Sequence, residues 1–155
     1  MKRLLTPMLF TALFAGTLDI AAAMVKYSIS TGNDPTAVLR FIASGVFGLE
    51  ALKGGTPMAV YGLIFHYSIA FLWTTAYFLL YPKITFAIRN AYLAGTFYGV
   101  IVWCGMRLIV LPLSNVPQRP IELVDAAEAI AILIVCIGIP IAVIAHRYYS
   151  LQKES

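Results

Sequence analysis

Four long apolar runs make up most of this chain. They cover residues 4–25, 58–81, 90–111 and 121–145. Each run has about 20 residues or more, which is the length that an α-helix needs to cross the hydrocarbon core of a bilayer. The pattern therefore predicts an all-α membrane protein with four transmembrane helices in a single domain.

The connection between the first two runs has a pattern of its own. The sequence Asn33-Asp34-Pro35 is typical of a helix start, because a capping side chain precedes a proline at the first helical position. Apolar residues then recur at helical spacing as far as Leu52, with charged residues between them. The segment 35–52 is too short and too charged to span. We therefore predict an amphipathic helix that lies at the interface or re-enters the bundle.

Composition agrees with residence in a membrane. Hydrophobic residues make up 61% of the chain and charged residues 12%, against about 25% charged residues in a typical soluble domain. The net charge of +4 is small and scattered, so no nucleic-acid binding is expected and membrane lipids are the expected surroundings. Cys104 and Cys136 lie inside apolar runs without a C-x-x-C motif, so they are expected to be buried apolar residues.

Basic residues indicate the orientation. Four spans place both termini on one side of the membrane. That side has Lys2, Arg3, Lys83, Arg89, Arg147 and Lys153, and the other side has Lys26, Arg40, Lys53 and Arg119. Positive charge concentrates on the cytoplasmic side of membrane proteins, so both termini are predicted to be cytoplasmic.

Five ionisable residues fall inside or just within the predicted spans. They are Asp19, His66, Arg107, Asp125 and Glu128. Because successive spans run in opposite directions, the position of a residue along its helix gives its depth, at about 1.5 Å per residue. All five are predicted to lie in the outer half of the membrane. The expected arrangement is a polar cavity shared by the four helices and open to the outside, which His66 faces.

Charges at such depth need partners, since each costs roughly 2.5–3.5 kcal/mol on insertion scales. Arg107 is expected to pair with Asp19 or Glu128. A structural role is open for each residue: Asp19 can neutralise Arg107, Asp125 and Glu128 can interact with the dipole at a helix start, and Arg107 can anchor at the interface. His66 can simply bond to a neighbouring helix.

No motif in the sequence indicates a cofactor. Asp19, His66 and Glu128 have the chemistry of divalent-metal ligands, but no local spacing supports a metal site. His146 lies at a different depth from His66, which argues against bis-histidine heme, and it is expected to be solvated. The sequence contains no phosphate-binding or dinucleotide-binding motif. We therefore predict neither a metal nor a cofactor.

Small residues predict close helix packing in the third span. Gly95-x-x-x-Gly99 allows another backbone to approach closely, either within one chain or between copies in a homo-oligomer. Gly138-Ile139-Pro140 predicts a kink in the fourth span.

Several short motifs recur in an order that resembles a known family. They are Gly16-Thr17-Leu18-Asp19, Ala43-Ser44-Gly45-Val46-Phe47-Gly48, His66-Tyr67, Tyr98-Gly99, Pro112-Leu113-Ser114 and Gly138-x-Pro140-Ile141-Ala142. Together they resemble the YagU-like family of small, uncharacterised bacterial inner-membrane proteins. The resemblance implies a four-helix fold in the cell inner membrane, with Asp19 and His66 as signature residues. Relatives tend to have a further histidine before the G-x-P motif, and residues 132–137 contain none here.

Three classes of function remain open. The leading expectation is a non-enzymatic membrane protein that binds or passes a small polar solute, an ion or a proton. Asp19 and His66 would contact the ligand or the proton, and Arg107 would be the counter-charge. The alternatives are an interaction or scaffold subunit of a membrane complex, and a membrane enzyme that acts on a lipid or quinone with His66 and Glu128 as acid and base.

Overall fold

The structure, a computed structural model, describes residues 2–116 and 122–153, and within them the regular secondary structure is entirely helical. The α-helices are α1 (Lys2–Thr31), α2 (Thr36–Phe47), α3 (Gly55–Ala87), α4 (Ala91–Gly105), α5 (Leu123–Leu133) and α6 (Ile139–Lys153). A 3₁₀ segment covers Leu49–Lys53, and π-helical segments cover Met106–Val110 and Ile134–Gly138.

Four helical stretches are long and apolar enough to cross a membrane. They are Leu4–Thr31, Gly55–Ala87, Ala91–Val110 and Leu123–Gln152. Large apolar side chains such as Phe10 and Leu72 are more than 60% exposed on their surfaces, as expected where lipid replaces water. The predicted all-α architecture with four spans is confirmed at this level.

Consecutive spans run in opposite directions. The end of α1 meets the start of α5, where Lys26 bonds to Glu128. The ends of α3 and α6 meet at the other side of the bundle, where Tyr81 stacks on Tyr149. We call the side that contains the first residues of α1 and the last residues of α6 the terminal end, and the opposite side the α2 end.

The terminal half has a packed aromatic core. Tyr77, Phe78 and Tyr98 are each no more than 5% exposed, and the Tyr98 hydroxyl donates to the Trp73 carbonyl oxygen at 2.6 Å. Tyr77 meets Tyr98 edge to face, with ring centroids 4.7 Å apart, a favoured geometry for aromatic pairs. The core joins α3, α4 and α6.

Two glycines of the third span account for the close contact of α4 with the fourth span. A Cβ atom at Gly95 would lie 2.7 Å from the Cα atom of Ile139, and one at Gly99 would lie 2.6 Å from the Cα atom of Ile134. No side chain fits at those distances. The Gly95-x-x-x-Gly99 motif is therefore used within the chain, which is one of the two alternatives that the sequence left open.

The second span continues past its predicted end at Tyr81, through Pro82, to Ala87. Proline lacks the N–H that would bond to the carbonyl four residues earlier, here that of Phe78. The Tyr149 hydroxyl donates to this Phe78 oxygen at 2.9 Å. A side chain from α6 therefore replaces the missing backbone donor, so the helix can pass the proline.

Prolines also explain the two π-helical segments. Each segment ends two residues before a proline, Pro112 or Pro140. The wider turn is visible in backbone bonds that span five residues, from the Leu111 N–H to the Met106 carbonyl oxygen and from the Ile139 N–H to the Ile134 carbonyl oxygen. The irregularity predicted at Gly138-Ile139-Pro140 is therefore a π segment before the proline.

The first and fourth spans are longer than predicted. α1 continues past Val25 to Thr31 and ends where Gly32 adopts a positive φ of 69°, a common helix stop. The fourth span continues past Ala145 to Lys153, because Tyr149 packs on α3. Its predicted first residue, Ile121, lies outside the described residues.

The predicted helix at 35–52 is two elements. Gly48, with φ of 73°, ends α2 after Phe47, and the 3₁₀ segment follows. Asp34 accepts a hydrogen bond from the Thr36 backbone N–H at 2.9 Å, as the predicted cap should. Hydrogen bonds from Thr36, with a smaller contribution from Arg40, hold the pKa of Asp34 below its usual value.

α2 packs firmly against α3. Leu39 is buried together with Ile20 and Ala59. A Cβ atom at Gly62 would collide with the Leu39 carbonyl oxygen, so this glycine allows the two backbones to touch. The backbone N–H of Asn115 donates to the Gly45 carbonyl oxygen at 2.9 Å, which ties α2 to the connection after α4.

Candidate functional site

An open cavity lies at the α2 end, between α1, α2 and the fourth span. Its volume is about 480 Å³, within the range of about 300–1,000 Å³ that is usual for small-molecule sites. Its lining consists of Asp19, Ala23, Lys26, Tyr27, Ser30, Thr31, Val38, Asp125, Ala129, Ile132 and Leu133. We call it the Asp19 cavity.

Asp19 is the innermost ionisable residue of this cavity. It lies twelve residues before the last residue of α1, or about 18 Å along the helix axis. Within residues 2–116 and 122–153, no hydrogen bond or ion pair reaches its partly buried carboxylate. His66 and Cys136 are near enough to interact with it electrostatically.

A cation and two carboxylates lie nearer the α2 end than Asp19 does. The Lys26 ammonium lies 2.7 Å from Oε2 of Glu128 and 3.8 Å from Oδ1 of Asp125. The Lys26 side chain is 32% exposed, that of Glu128 is 53% exposed and that of Asp125 is 72% exposed. This ion-pair group is therefore accessible to water.

The expected partnership of Arg107 with Glu128 is wrong, because Lys26 takes that position. Lys26 lies on the helix that faces α5 across the cavity, at the height where α5 begins. Arg107 lies instead in the π segment after α4, where it is partly buried. Among the described lining residues of the Asp19 cavity, none comes from α4 or this segment.

His66 is held against the backbone of α1. Its Nε2 atom lies 2.8 Å from the Gly16 carbonyl oxygen. A carbonyl oxygen can only accept, so Nε2 has a proton and donates it. The neighbouring Tyr67 hydroxyl bonds to the Thr17 hydroxyl at 2.8 Å.

This contact places His66 beside the cavity rather than inside its lining. α1 and α3 approach closely here, since a Cβ atom at Gly16 would lie 3.2 Å from the Tyr67 ring. The described lining comes from α1, α2 and the fourth span. The expectation of a cavity shared by all four spans, with His66 facing it, is therefore replaced by a cavity lined by α1, α2 and the fourth span, and His66 is not among its described lining residues.

The chemistry of the cavity is that of a site for a small polar group. A carboxylate forms the inner part, and an ammonium and a second carboxylate lie nearer the opening. Tyr27, Ser30 and Thr31 add hydroxyl groups along the same wall. Asp19 can accept hydrogen bonds from a cationic or hydroxyl-bearing ligand, and the hydroxyl groups can donate or accept.

Metal ligands do not gather here. In the part of the chain that the structure describes, no group of three or more His, Cys, Asp and Glu side chains is close enough to hold a metal ion. His66 and Glu128 are the residues considered as an acid–base pair. His66 bonds to Gly16 and Glu128 bonds to Lys26, which are different positions on α1.

Lys26 is the site residue that the sequence interpretation missed. The sequence pattern places Lys26 beyond the predicted end of the first span, among the basic residues that indicate orientation. Asp19, Ala23, Lys26 and Ser30 recur at intervals of four, three and four residues, which places them on one helical face. That periodicity would have identified Lys26 if the helix had been extended past Val25.

Comparisons with known proteins give no relatives for this arrangement. No family model, no curated protein and no solved structure matches the chain.

Proposed function

We propose that this protein is a multi-pass membrane protein that binds a small polar solute or a cation in the Asp19 cavity, with or without proton coupling. The observation that supports this proposal best is the Asp19 carboxylate itself. It opens onto a cavity of about 480 Å³ and has no bonding partner among the described residues. A carboxylate among apolar helices needs a donor or a cation, because an unpartnered charge there is costly.

In this proposal the α2 end faces outward in the cell inner membrane, and both termini are cytoplasmic. The distribution of lysine and arginine along the chain supports that orientation. α2 then lies on the outer side, across α3. A solute enters past Lys26, Asp125 and Glu128, whose ion pairs can exchange with its charged groups.

Binding can be tested with the purified protein in an uncharged detergent. We expect small cations such as methylammonium or sodium to raise the melting temperature, because a ligand that binds only the folded state stabilises it by mass action. Asp19→Asn should abolish that shift. Glu50→Gln should keep it, since Glu50 is an exposed carboxylate at the same end but outside the cavity lining.

Transport can be tested separately in liposomes that contain a pH-sensitive dye. A proton-linked protein should acidify or alkalinise the lumen, and Asp19→Asn should slow that change at least tenfold. A wild-type melting temperature that no cation shifts, together with equal behaviour of Asp19→Asn and Glu50→Gln in both assays, would contradict the proposal.

A second candidate function is a scaffold subunit, which the His66 contact favours. A histidine whose Nε2 bonds to a backbone carbonyl can act purely as a clamp between α1 and α3. His66→Gln retains an N–H donor, whereas His66→Ala removes it. A pure clamp predicts that His66→Ala lowers stability, that His66→Gln restores it, and that neither variant changes the response to cations.

A further inference from the structure

A second polar pocket lies at the terminal end, between the last turns of α3 and α6. Its volume is about 470 Å³. Its polar lining consists of Tyr81, Thr85, Arg89, His146, Tyr149 and Ser150. We call it the Arg89 pocket. It is separate from the Asp19 cavity and plays no part in the proposed function.

The described charged side chains at the terminal end are basic. They are Lys83, Arg89 and Arg147. Within residues 2–116 and 122–153, every aspartate and glutamate lies in the half nearer the α2 end. The surroundings of the Arg89 pocket therefore favour an anion.

Internal contacts hold the walls of this pocket in place. The Tyr81 hydroxyl lies 3.0 Å from Nδ1 of His146, and the Tyr81 and Tyr149 rings stack with centroids 4.3 Å apart. When Tyr81 donates to Nδ1, the imidazole proton resides on Nε2. That second nitrogen is then a donor for a ligand.

Arg89 supplies the charge. It follows α3 by two residues, its side chain is exposed, and no ion pair in the described part of the chain engages it. An arginine guanidinium has a planar fork of donors that matches two oxygens of a phosphate. Neutral donors such as the Ser150 hydroxyl can then bond to the remaining oxygens.

We propose that the Arg89 pocket binds the phosphate group of an anionic ligand, with Arg89 as the cation and with His146 and Ser150 as donors. The phosphate can belong to a phospholipid headgroup or to a soluble compound. A lipid suits the position best, because Phe86 borders the pocket and is 93% exposed. Its ring offers an apolar surface beside the polar pocket, as an acyl chain requires.

The test is a binding measurement on the whole protein in an uncharged detergent. Three probes are titrated: short-chain phosphatidylglycerol, the matching diacylglycerol without phosphate, and inorganic phosphate. We expect phosphatidylglycerol to bind and diacylglycerol not to bind. Binding of inorganic phosphate with similar affinity would identify the phosphate alone as sufficient, and much weaker binding would identify a lipid as the ligand.

Matched variants locate the site. Arg89→Gln should weaken phosphatidylglycerol binding at least tenfold, and Arg89→Lys should weaken it less because it keeps the charge but loses the fork. Lys83→Gln removes an equal charge at the same end, but Lys83 lines a different groove between α3 and α4, so less than a twofold change is expected. Equal effects of Arg89→Gln and Lys83→Gln, or equal binding of the diacylglycerol, would overturn the proposal.

Discussion

The terminal half and the α2 half of this bundle satisfy the same physical demands in different ways. The terminal half is joined by buried aromatic rings and by glycines that bring two backbones into contact. The α2 half has a smaller buried cluster, around Leu39, and an open cavity with charged walls. The same four helices therefore bury a cluster of aromatic rings in one half and leave the Asp19 cavity open in the other.

This difference indicates which substitutions should change stability and which should change ligand binding. In the terminal half, side chains have no room to move because their neighbours are backbone atoms or fully buried rings. In the α2 half, polar side chains meet water and exchange partners at little cost. Stability is therefore expected to depend most on the tightly packed positions, and cation binding on the Asp19 cavity.

The largest effects should come from glycines at which two helix backbones touch, and Gly99, between α4 and the fourth span, is one of them. Gly99→Ala places a methyl group 2.6 Å from the Cα atom of Ile134, and backbone cannot yield as a side chain can. Overpacking of this kind costs about 1–3 kcal/mol, and we expect the upper end of that range. The measurement is the free energy of unfolding in detergent.

Gly45→Ala is the matched control for that substitution. A Cβ atom there meets only side-chain atoms, the nearest 3.5 Å away, and alanine favours a helix over glycine by about 1 kcal/mol. The variant should be as stable as the wild type or more so. If both alanine variants lowered stability equally, the contrast between the two halves would be lost.

A smaller effect is expected where α3 passes its proline. Tyr149→Phe keeps the ring stacked on Tyr81 but removes the donor to the Phe78 carbonyl oxygen. The expected cost is about 1 kcal/mol. In Pro82→Ala the backbone N–H returns to the same oxygen, so the cost of Tyr149→Phe should nearly vanish in that background. A double-mutant cycle measures this coupling, and simple additivity would show that the bond does not compensate for the proline.

Removal of the cation at the opening should change stability less. Lys26→Met breaks the contacts with Asp125 and Glu128, but exposed ion pairs contribute about 0–1 kcal/mol. The same variant should strengthen cation binding in the Asp19 cavity, since it removes a competing ammonium. Lys53→Met, at the same end but outside the cavity lining, should change neither the free energy of unfolding nor the affinity for cations. A large loss of stability in Lys26→Met would mean that the ion pairs are structural.

The smallest effect concerns the cap of α2 and depends on pH. Hydrogen bonds from Thr36 lower the pKa of Asp34 from its model-peptide value of 3.8. A carboxyl group whose pKa is lowered by folding stabilises the folded state at pH values above its unfolded-state pKa. This contribution is lost as the pH falls through the folded-state pKa. The hydrogen-exchange protection of the Thr36 amide should therefore fall below about pH 4. Asp34→Asn should remove that pH dependence, and an unchanged dependence would assign it to another group.

Much of the fold follows from local pattern. The four apolar runs predicted four spans, Asp34 predicted the start of α2, and Gly95-x-x-x-Gly99 predicted a close backbone contact. Each depends on residues that lie near one another in sequence, so periodicity and capping chemistry are sufficient to find them. The errors concern helix ends, at Val25, Tyr81 and Ala145.

The errors at Tyr81 and Ala145 share one cause, which is that residues distant in the chain decide where the helix ends. Proline at position 82 would normally end a helix, and only the Tyr149 hydroxyl, 67 residues later in the chain, lets α3 continue. The candidate site shows the same limit. Depth along each helix placed Asp19, Asp125 and Glu128 near one end, but depth does not give the rotation of a helix. Rotation decides that Lys26, and not Arg107, is the partner of Glu128.

The sequence by itself determined that this chain forms apolar helices of membrane-spanning length, because that property depends on composition and period alone. It also placed the five ionisable residues of the predicted spans in one half of the bundle. Only the tertiary structure decided which polar groups meet. Charges in an apolar bundle pair with whichever neighbour the helix packing brings within about 4 Å, and that packing is set by glycine contacts between α1, α3, α4 and the fourth span.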